Sequence, residues 1–208
     1  MAILLDLVKE ETALHSAKSK HFHFANDLFS RVVVTALTAL TYKDRLHEPL
    51  TAEHLYAHLD LQYYALKDVS KWCTEEAQIM SSDTASNVLL FLLNMGLLPS
   101  TLTGAFFTTE ALDKAHAVRQ SSGHRKYYQT ALLALLGRPD VPHKTVLPLM
   151  EKVIIPSFAD PRLLRDYLGD VLSSDHPLRI IALEGMYQLI ARHNLFPFPF
   201  PPSQKHGD

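Results

Sequence analysis

The sequence predicts an all-α fold, an irregular helical-repeat solenoid of about nine or ten helices. Three observations carry this expectation. Apolar residues recur at helical spacing along most of the chain, and no stretch reads convincingly as a strand. Glycine is scarce, at 7 of 208 residues, while leucine and alanine are abundant, a balance that favours helix. Helix pairs recur at roughly 35–45 residues, as in HEAT- and armadillo-like stacks, although no clean internal repeat can be read. A compact irregular bundle is the alternative architecture.

Taken in order, residues 2–16 read as a helix with Ile3, Leu4, Leu7, Val8 and Leu14 on its apolar side. It has no capping residue, which suggests a fragment or a chain that begins inside a repeat. Residues 18–24 are a basic and aromatic link, after which Asn26 or Asp27 can cap a helix carrying Leu28, Phe29, Val32, Val33, Ala36, Leu37 and Leu40. The run Val32-Val33-Val34-Thr35 is β-branched, but the apolar spacing continues over four turns, so helix is preferred. Residues 41–50 read as a loop, and one long or broken helix runs from Thr51 to about residue 77. Ser81 to Thr84 form a linker and cap before an apolar helix over 85–97.

Residues 99–104 are a loop and 108–119 a weaker helix, broken by Ser121-Ser122-Gly123. A strong helix over 124–136 is closed by Gly137 and Pro139. Another follows over 143–155, with Pro148 either in its first turn or kinking it. The clearest start signals come last. Asp160 can accept from orphan backbone N–H groups, and Pro161 suits the first helical position. Leu163, Leu164, Tyr167, Leu168, Val171 and Leu172 then form one stripe. Asp175 with Pro177 repeats the signal. The helix that follows carries Leu178, Ile181, Met186, Leu189 and Ile190, its face widened by Ile180, Leu183 and Tyr187. Arg192 and His193 suit the negative end of its dipole, and Asn194 suits a left-handed terminus. Residues 1–195 read as a single domain and 196–208 as a Pro-rich, extended and poorly ordered tail.

Composition narrows the function classes. Hydrophobic residues are 47% and charged residues 20%, a globular balance. Lys+Arg is 20 against Asp+Glu at 22, so the basic excess of a dedicated nucleic-acid binder is absent. Cys73 is the only cysteine, which excludes an internal disulfide and a thiolate zinc cluster. The apolar start lacks the basic flank of a signal peptide. The longest apolar run, Val88 to Leu98, contains Asn94 and falls short of the ~20 residues a membrane span needs.

Candidate sites are few. His54 and His58 lie at i and i+4 beside Glu53, but a third ligand and the H-E-x-x-H order are missing. His21 and His23, two apart, would come together only in an extended segment. Cys73 beside Trp72 reads as a buried, inert thiol. No G-x-S-x-G elbow or phosphate-cradling glycine loop occurs. His124-Arg125-Lys126 with Tyr127-Tyr128 could touch RNA, yet a charged face above two core tyrosines explains them better. Gly185, mid-helix, points to a close approach by a neighbouring helix. The expectation is a non-enzymatic protein with no cofactor, no metal and no small-molecule substrate.

Residues 149–195 resemble the nucleolar complex protein 4 family, which carries the CCAAT-binding-factor domain. The resemblance rests on Ile155, Pro156, Pro161, Leu164, Asp166, Tyr167 and Leu168, then on Leu183, Gly185, Met186, Tyr187, Leu189, Ile190, Arg192, His193, Asn194 and Leu195. A looser likeness extends upstream through Lys18, Lys20, Phe24, Asn26, Leu28 and Phe29, and through His124 to Tyr128. Where the family continues from His-Asn-Leu into an acidic-aromatic segment and further helices, this chain has Phe196-Pro197-Phe198-Pro199. It therefore looks like the middle of such a protein, a shortened relative, or an incomplete chain.

The resemblance implies a helical scaffold of the nucleolar small-subunit processome that supports pre-rRNA processing and export of the small subunit. It implies a nucleolar protein 14-like partner and other processome proteins, with RNA contact secondary. It also makes the signature residues a possible protein interface. The alternatives are a helical-repeat adaptor outside ribosome assembly and, more remotely, a metal hydrolase built on His54 and His58.

Overall fold

The computed structural model describes residues 2–18, 22–39, 55–96, 98, 102, 104–108, 116–174 and 177–194. Its helices are α1 (Ala2–Ala17), α2 (Asn26–Ala39), α3 (Leu59–Glu76), α4 (Ser82–Asn94), α5 (Ser121–Leu136), the short α6 (His143–Val146) and α7 (Ile155–Ser157), α8 (Arg165–Ser173) and α9 (Arg179–His193). The fold is all-α. The one pairing of extended backbone among the described residues is an isolated bridge between His58 and Ala105. A contiguous apolar core runs from Leu5 and Val8 of α1 to Ala182 and Leu189 of α9. α3 lies near its centre, packing most extensively on α5 and also on α2, while α8 packs on α9. The layered helix-on-helix packing is that of an irregular all-α solenoid.

Local chemistry explains most boundaries. Thr12 of α1 accepts from the Ala25 backbone N–H at 3.0 Å, which fixes the link into α2. The β-branched run of α2 is helical, with Val32 and Val33 buried. Ser81 caps α4 by accepting from the Thr84 N–H at 3.1 Å. Gly96, at φ +73, then turns the chain in a conformation only glycine adopts at little cost. Gly137 closes α5 through its N–H to the carbonyls of Leu133 and Leu135. Pro148 sits in a tight 3₁₀ turn, Leu147–Leu149, followed by a widened π turn over Met150–Ile154. Without an N–H it cannot continue the α-helical ladder, so the helix expected over 143–155 changes pitch there and resumes as α7.

Several expectations are corrected. The helix drawn from Thr51 begins at Leu59. Residues 51–54 lie outside the described residues, Leu55 is in a helical turn, and His58, extended at φ -120 and ψ 125 and paired with Ala105, separates that turn from α3. Of the helix expected over 108–119, the described part is only a 3₁₀ turn, Ala117–Arg119, and Thr108 is instead tied to Asp60. Ser121-Ser122-Gly123 does not break a helix; it forms the first turn of α5. Gly123 belongs there because an added Cβ would lie 3.0 Å from the Tyr63 ring. In α1 the buried face is Leu5, Val8 and Thr12, while Ile3, Leu4, Leu7 and Leu14 face outward. The loop over 41–50, His21, His54, Leu195 and the tail over 196–208 lie outside the described residues.

Two guanidinium clamps tie the layers together. Arg138 donates to the carbonyls of Ala77 and Met80 at the end of α3, and pairs with Asp140 at 2.8 Å. Arg125 of α5 donates to the carbonyls of Pro156, Ser157 and Phe158 at the end of α7. Gln129 adds its amide oxygen to the Asp160 N–H at 2.7 Å. Together these set the position from which α8 starts.

Candidate functional site

The α8–α9 pair carries the signature residues, and its geometry follows from the start signals. Asp160 accepts from the Arg162 N–H at 3.2 Å and pairs with the Arg162 side chain at 2.8 Å. Those Arg162 bonds hold its carboxyl below the usual carboxylate range. Pro161 is buried at the first position of a 3₁₀ turn, Pro161–Leu164, that leads into α8. Leu164, Tyr167, Leu168 and Val171 point inward. The Tyr167 hydroxyl lies 3.0 Å from His143 Nδ1, and burial raises its pKa.

α9 does not start as the sequence suggests. Its N-cap position is Leu178, which has no capping side chain, and Asp175 lies outside the described residues. Its inward face is Ala182, Gly185 and Leu189, with Ile181 and Met186 packed at the border. A Cβ added to Gly185 would lie 3.1 Å from Met150 Cγ and 3.3 Å from both Leu168 methyls, so the close approach expected there is real. Asn194 adopts the left-handed conformation, φ 51 and ψ 37, and its N–H returns to the Leu189 carbonyl.

Ile180, Leu183 and Tyr187, expected to widen the core face, and Ile190, expected on the face itself, do the opposite. Ile180 is 80% exposed, Leu183 55%, Tyr187 64% and Ile190 37%. At i, i+3, i+7 and i+10 they make one outward stripe, about 15 Å long at the helical rise of ~1.5 Å per residue. The signature therefore divides. Pro161, Leu164, Tyr167, Leu168, Gly185 and Leu189 hold the pair together. Leu183, Tyr187 and Ile190 face solvent, as do Pro156, Asp166, Arg192 and Asn194, while Met186 and His193 are half-buried. Ile180 joins the outward stripe without having stood in the signature.

The other candidates are placed as follows. His58 is not on a helix face but at the α3 N-cap, its ring edge-on to Phe107 at 5.3 Å. Among the described residues no group of three or more His, Cys, Asp or Glu could hold a metal ion. Cys73 is buried, which pushes its thiol up to about 12. His124 is buried with Nε2 2.8 Å from the Val118 carbonyl, and burial lowers its pKa. Tyr128 is buried, Tyr127 is half-buried and Arg125 is engaged with carbonyls, which leaves Lys126 as the exposed cation of that cluster. No helix among the described residues is long and apolar enough to cross a membrane.

Asp60 is an element the sequence reading missed. It is fully buried and accepts from the backbone N–H groups of Leu61, Phe107 and Thr108 and from the Thr108 hydroxyl. The signal was a carboxylate set between Leu59 and Leu61 in an otherwise apolar start.

No protein-family model matches the chain. It is 24% identical over 186 residues to an uncharacterised protein of Schizosaccharomyces pombe, covering 86% of this chain and 38% of that protein. It is 27% identical over 185 residues to the nucleolar complex protein 4 homolog of Mus musculus, covering 84% of this chain and 35% of that protein. The Homo sapiens homolog matches at 34% over 74 residues, 35% of this chain and 14% of that one. The chain thus spans little more than a third of the length of these relatives. The expected resemblance is borne out over most of the chain.

Proposed function

From a chain that is a distant relative of the nucleolar complex protein 4 homologs, we propose a non-enzymatic helical scaffold in ribosome biogenesis. The observation that carries this is the likeness to those nucleolar proteins along most of its length. The finer reading is a component of the nucleolar small-subunit processome that supports pre-rRNA processing and small-subunit assembly and export. Residues 1–195 act in it as one helical unit. The outward part of the signature, Leu183, Tyr187 and Ile190 with Ile180, is the surface offered to a nucleolar protein 14-like partner. Two features support a docking role for it. Large apolar side chains scattered singly over a surface need no explanation, but four on one stripe mark an interaction site. The inward residues beneath them are held rigidly by α8 and the 147–154 segment, so the stripe is presented on a fixed element. A net charge of -2 favours protein over RNA as the main contact.

Affinity purification of the tagged full chain from cells, with imaging of the same fusion, tests this reading. Nucleolar signal and recovery of processome proteins are expected, with loss of the partner when Leu183 and Tyr187 are both changed to Asp. Cytoplasmic signal with no nucleolar protein recovered would refute it and favour an adaptor outside ribosome assembly.

A further inference from the structure

We propose that the proline-rich segment over 196–202 folds back into the groove between α3 and α5 of its own chain, delivered there by the end of α9. The groove shares no residue with the α9 stripe, so the inference does not rest on the scaffold reading.

A cleft of about 520 Å³ opens beside the C-terminal part of α3, between it, α5 and the turn Pro161–Leu164. That volume falls within the ~300–1,000 Å³ of ordinary ligand pockets. Leu133 and Ala134 of α5 line it and are only half-buried. Ile79 and Leu163 line it too, 81% and 48% exposed. Leu163 belongs by spacing to the stripe with Leu164, which is fully buried, yet it borders this cleft instead. Large apolar side chains gathered round one concavity mark a binding groove, whereas the same residues scattered singly would not.

Position selects the occupant. α9 packs against the Pro161–Leu164 turn, and its last residue, His193, is close enough to Asp160 to help, after Arg162, to hold that carboxyl down. The Asp160 N–H is bonded at 2.7 Å to Gln129, which lines the groove. The chain therefore leaves α9 at the Leu163 rim, and the segment begins two residues after Asn194. At the ~3.1 Å per residue of an extended proline-rich chain it reaches about 22 Å, more than the ~9 Å that α-helical rise sets between Cys73 and Ile79. A segment tethered this closely meets its site at an effective concentration of about 1 mM, so an intrinsic affinity of only ~0.1 mM keeps the groove mostly filled. No separate chain has that advantage.

The composition fits the same groove. Phe196, Phe198 and Phe200 alternate with proline, so the segment is apolar on every side. Its prolines fix φ, which reduces the chain freedom lost on docking. Only three of its seven residues carry a backbone N–H, so it offers mainly carbonyl acceptors. Gln129, whose amide oxygen is taken by Asp160, has amide N–H groups to give them.

Nuclear Overhauser spectroscopy of the full chain, with labelled Ile and Leu methyls, tests the proposal. Contacts are expected from the rings of Phe196, Phe198 or Phe200 to the methyls of Ile79, Leu133 and Leu163. Ile79→Glu with Leu163→Glu changes two exposed side chains, so the methyl shifts of buried Leu132 should stay in place while the ring contacts to Leu133 are lost. Changing Phe196, Phe198 and Phe200 together to Ser leaves the groove intact and is expected to shift the Leu133 and Leu163 methyls to the positions of an open groove. Three results overturn the proposal: no ring-to-methyl contact in the wild type, contacts to Leu133 that persist in the double Glu variant, or Leu133 and Leu163 methyls that do not move when the three phenylalanines are replaced. An equimolar mixture of labelled and unlabelled chains separates the source of the segment. Contacts within one copy are expected, and contacts between copies would show a second copy in the groove and refute folding back.

Discussion

Replacing Gly185 by alanine tests how tightly α9 is seated. In an open helix interior the change is stabilising by about 1 kcal/mol, because glycine has the greater backbone freedom to lose. At Gly185 the new methyl would sit 3.1 Å from Met150 Cγ and 3.3 Å from the two Leu168 methyls. Met150 is 1% exposed and Leu168 0%, so neither side chain can swing into solvent to make room. Overpacking of this kind costs about 1–3 kcal/mol, which outweighs the propensity gain. The expected net effect is a loss of about 1 kcal/mol, the propensity gain set against the overpacking cost. Gly169, mid-α8, supplies the control, since an added Cβ there meets nothing within 4 Å. Gly169→Ala should therefore stabilise by about 1 kcal/mol, leaving the two variants roughly 2 kcal/mol apart. Urea unfolding followed by far-ultraviolet circular dichroism measures both. If Gly185→Ala stabilises as much as Gly169→Ala, α9 is not pressed against Leu168 and Met150, and the close-approach argument fails.

Asp60→Ala removes the acceptor for Phe107, Thr108 and the Thr108 hydroxyl. A loss of about 3 kcal/mol is expected, read in the same unfolding assay, since bonds to a charged acceptor are worth about 1.5–3 kcal/mol each and do not add fully; Asp60→Asn should lose less, because one oxygen remains. Burial pushes the Asp68 carboxyl up to about 6, from an ordinary value near 3.8. A raised carboxyl pKa means that the folded form holds the proton more tightly, so this group lowers stability as pH rises from about 4 to about 6. Asp68→Asn should accordingly raise the thermal midpoint at pH 7 more than at pH 4, and an equal gain at both would contradict the assignment. The Arg138 side chain and the Ser82 hydroxyl hold Asp140 well below the carboxylate range, so its contribution is present above pH ~4 and fades below it; Asp140→Asn should weaken the protein at pH 6 more than at pH 3, as a pH series of melts would show. Cys73, buried and with its thiol raised to about 12, should resist a thiol reagent in the native state and react only on unfolding, whereas rapid native labelling would place it at the surface.

The interior helices were legible because each has one strongly apolar face and a local punctuation mark. Ser81, Gly137 and the Asp160-Pro161 pair end or begin helices where their own chemistry dictates. What could not be read was tertiary. His58 is extended because Ala105 pairs with it, and Thr108 leaves the helical pattern because Asp60 holds it; no periodicity within either segment records its distant partner. The reading of α1 and α9 failed for another reason. A helix with apolar residues on two sides shows that it is amphipathic in neither simple sense, and the period does not say which side is inner. In α9 the inner side turned out to be the small one, Ala182 and Gly185, because α8 approaches so closely. Gly185 was the residue that signalled this, and it placed the core face correctly while the larger side chains pointed away from it.

That inversion separates two roles along a single helix. Ala182, Gly185 and Leu189, with Ile181 and Met186 at the border, fix α9 in place, while Ile180, Leu183 and Tyr187 contribute little to its seating. Ile180, Leu183 and Tyr187 remain mostly in water in the isolated chain, where each forfeits the ~1.5–3 kcal/mol that full burial of such a side chain provides. Folding alone gives no reason to keep them, since polar residues at the same positions would leave every inward contact intact. Their presence on one stripe, over a backbone held within van der Waals reach of α8, is what the proposed docking role would account for. Substitutions at Ala182, Gly185 and Leu189 should therefore alter stability and change binding only through it. Substitutions at Ile180, Leu183 and Tyr187 should alter association and leave the unfolding curve where it was.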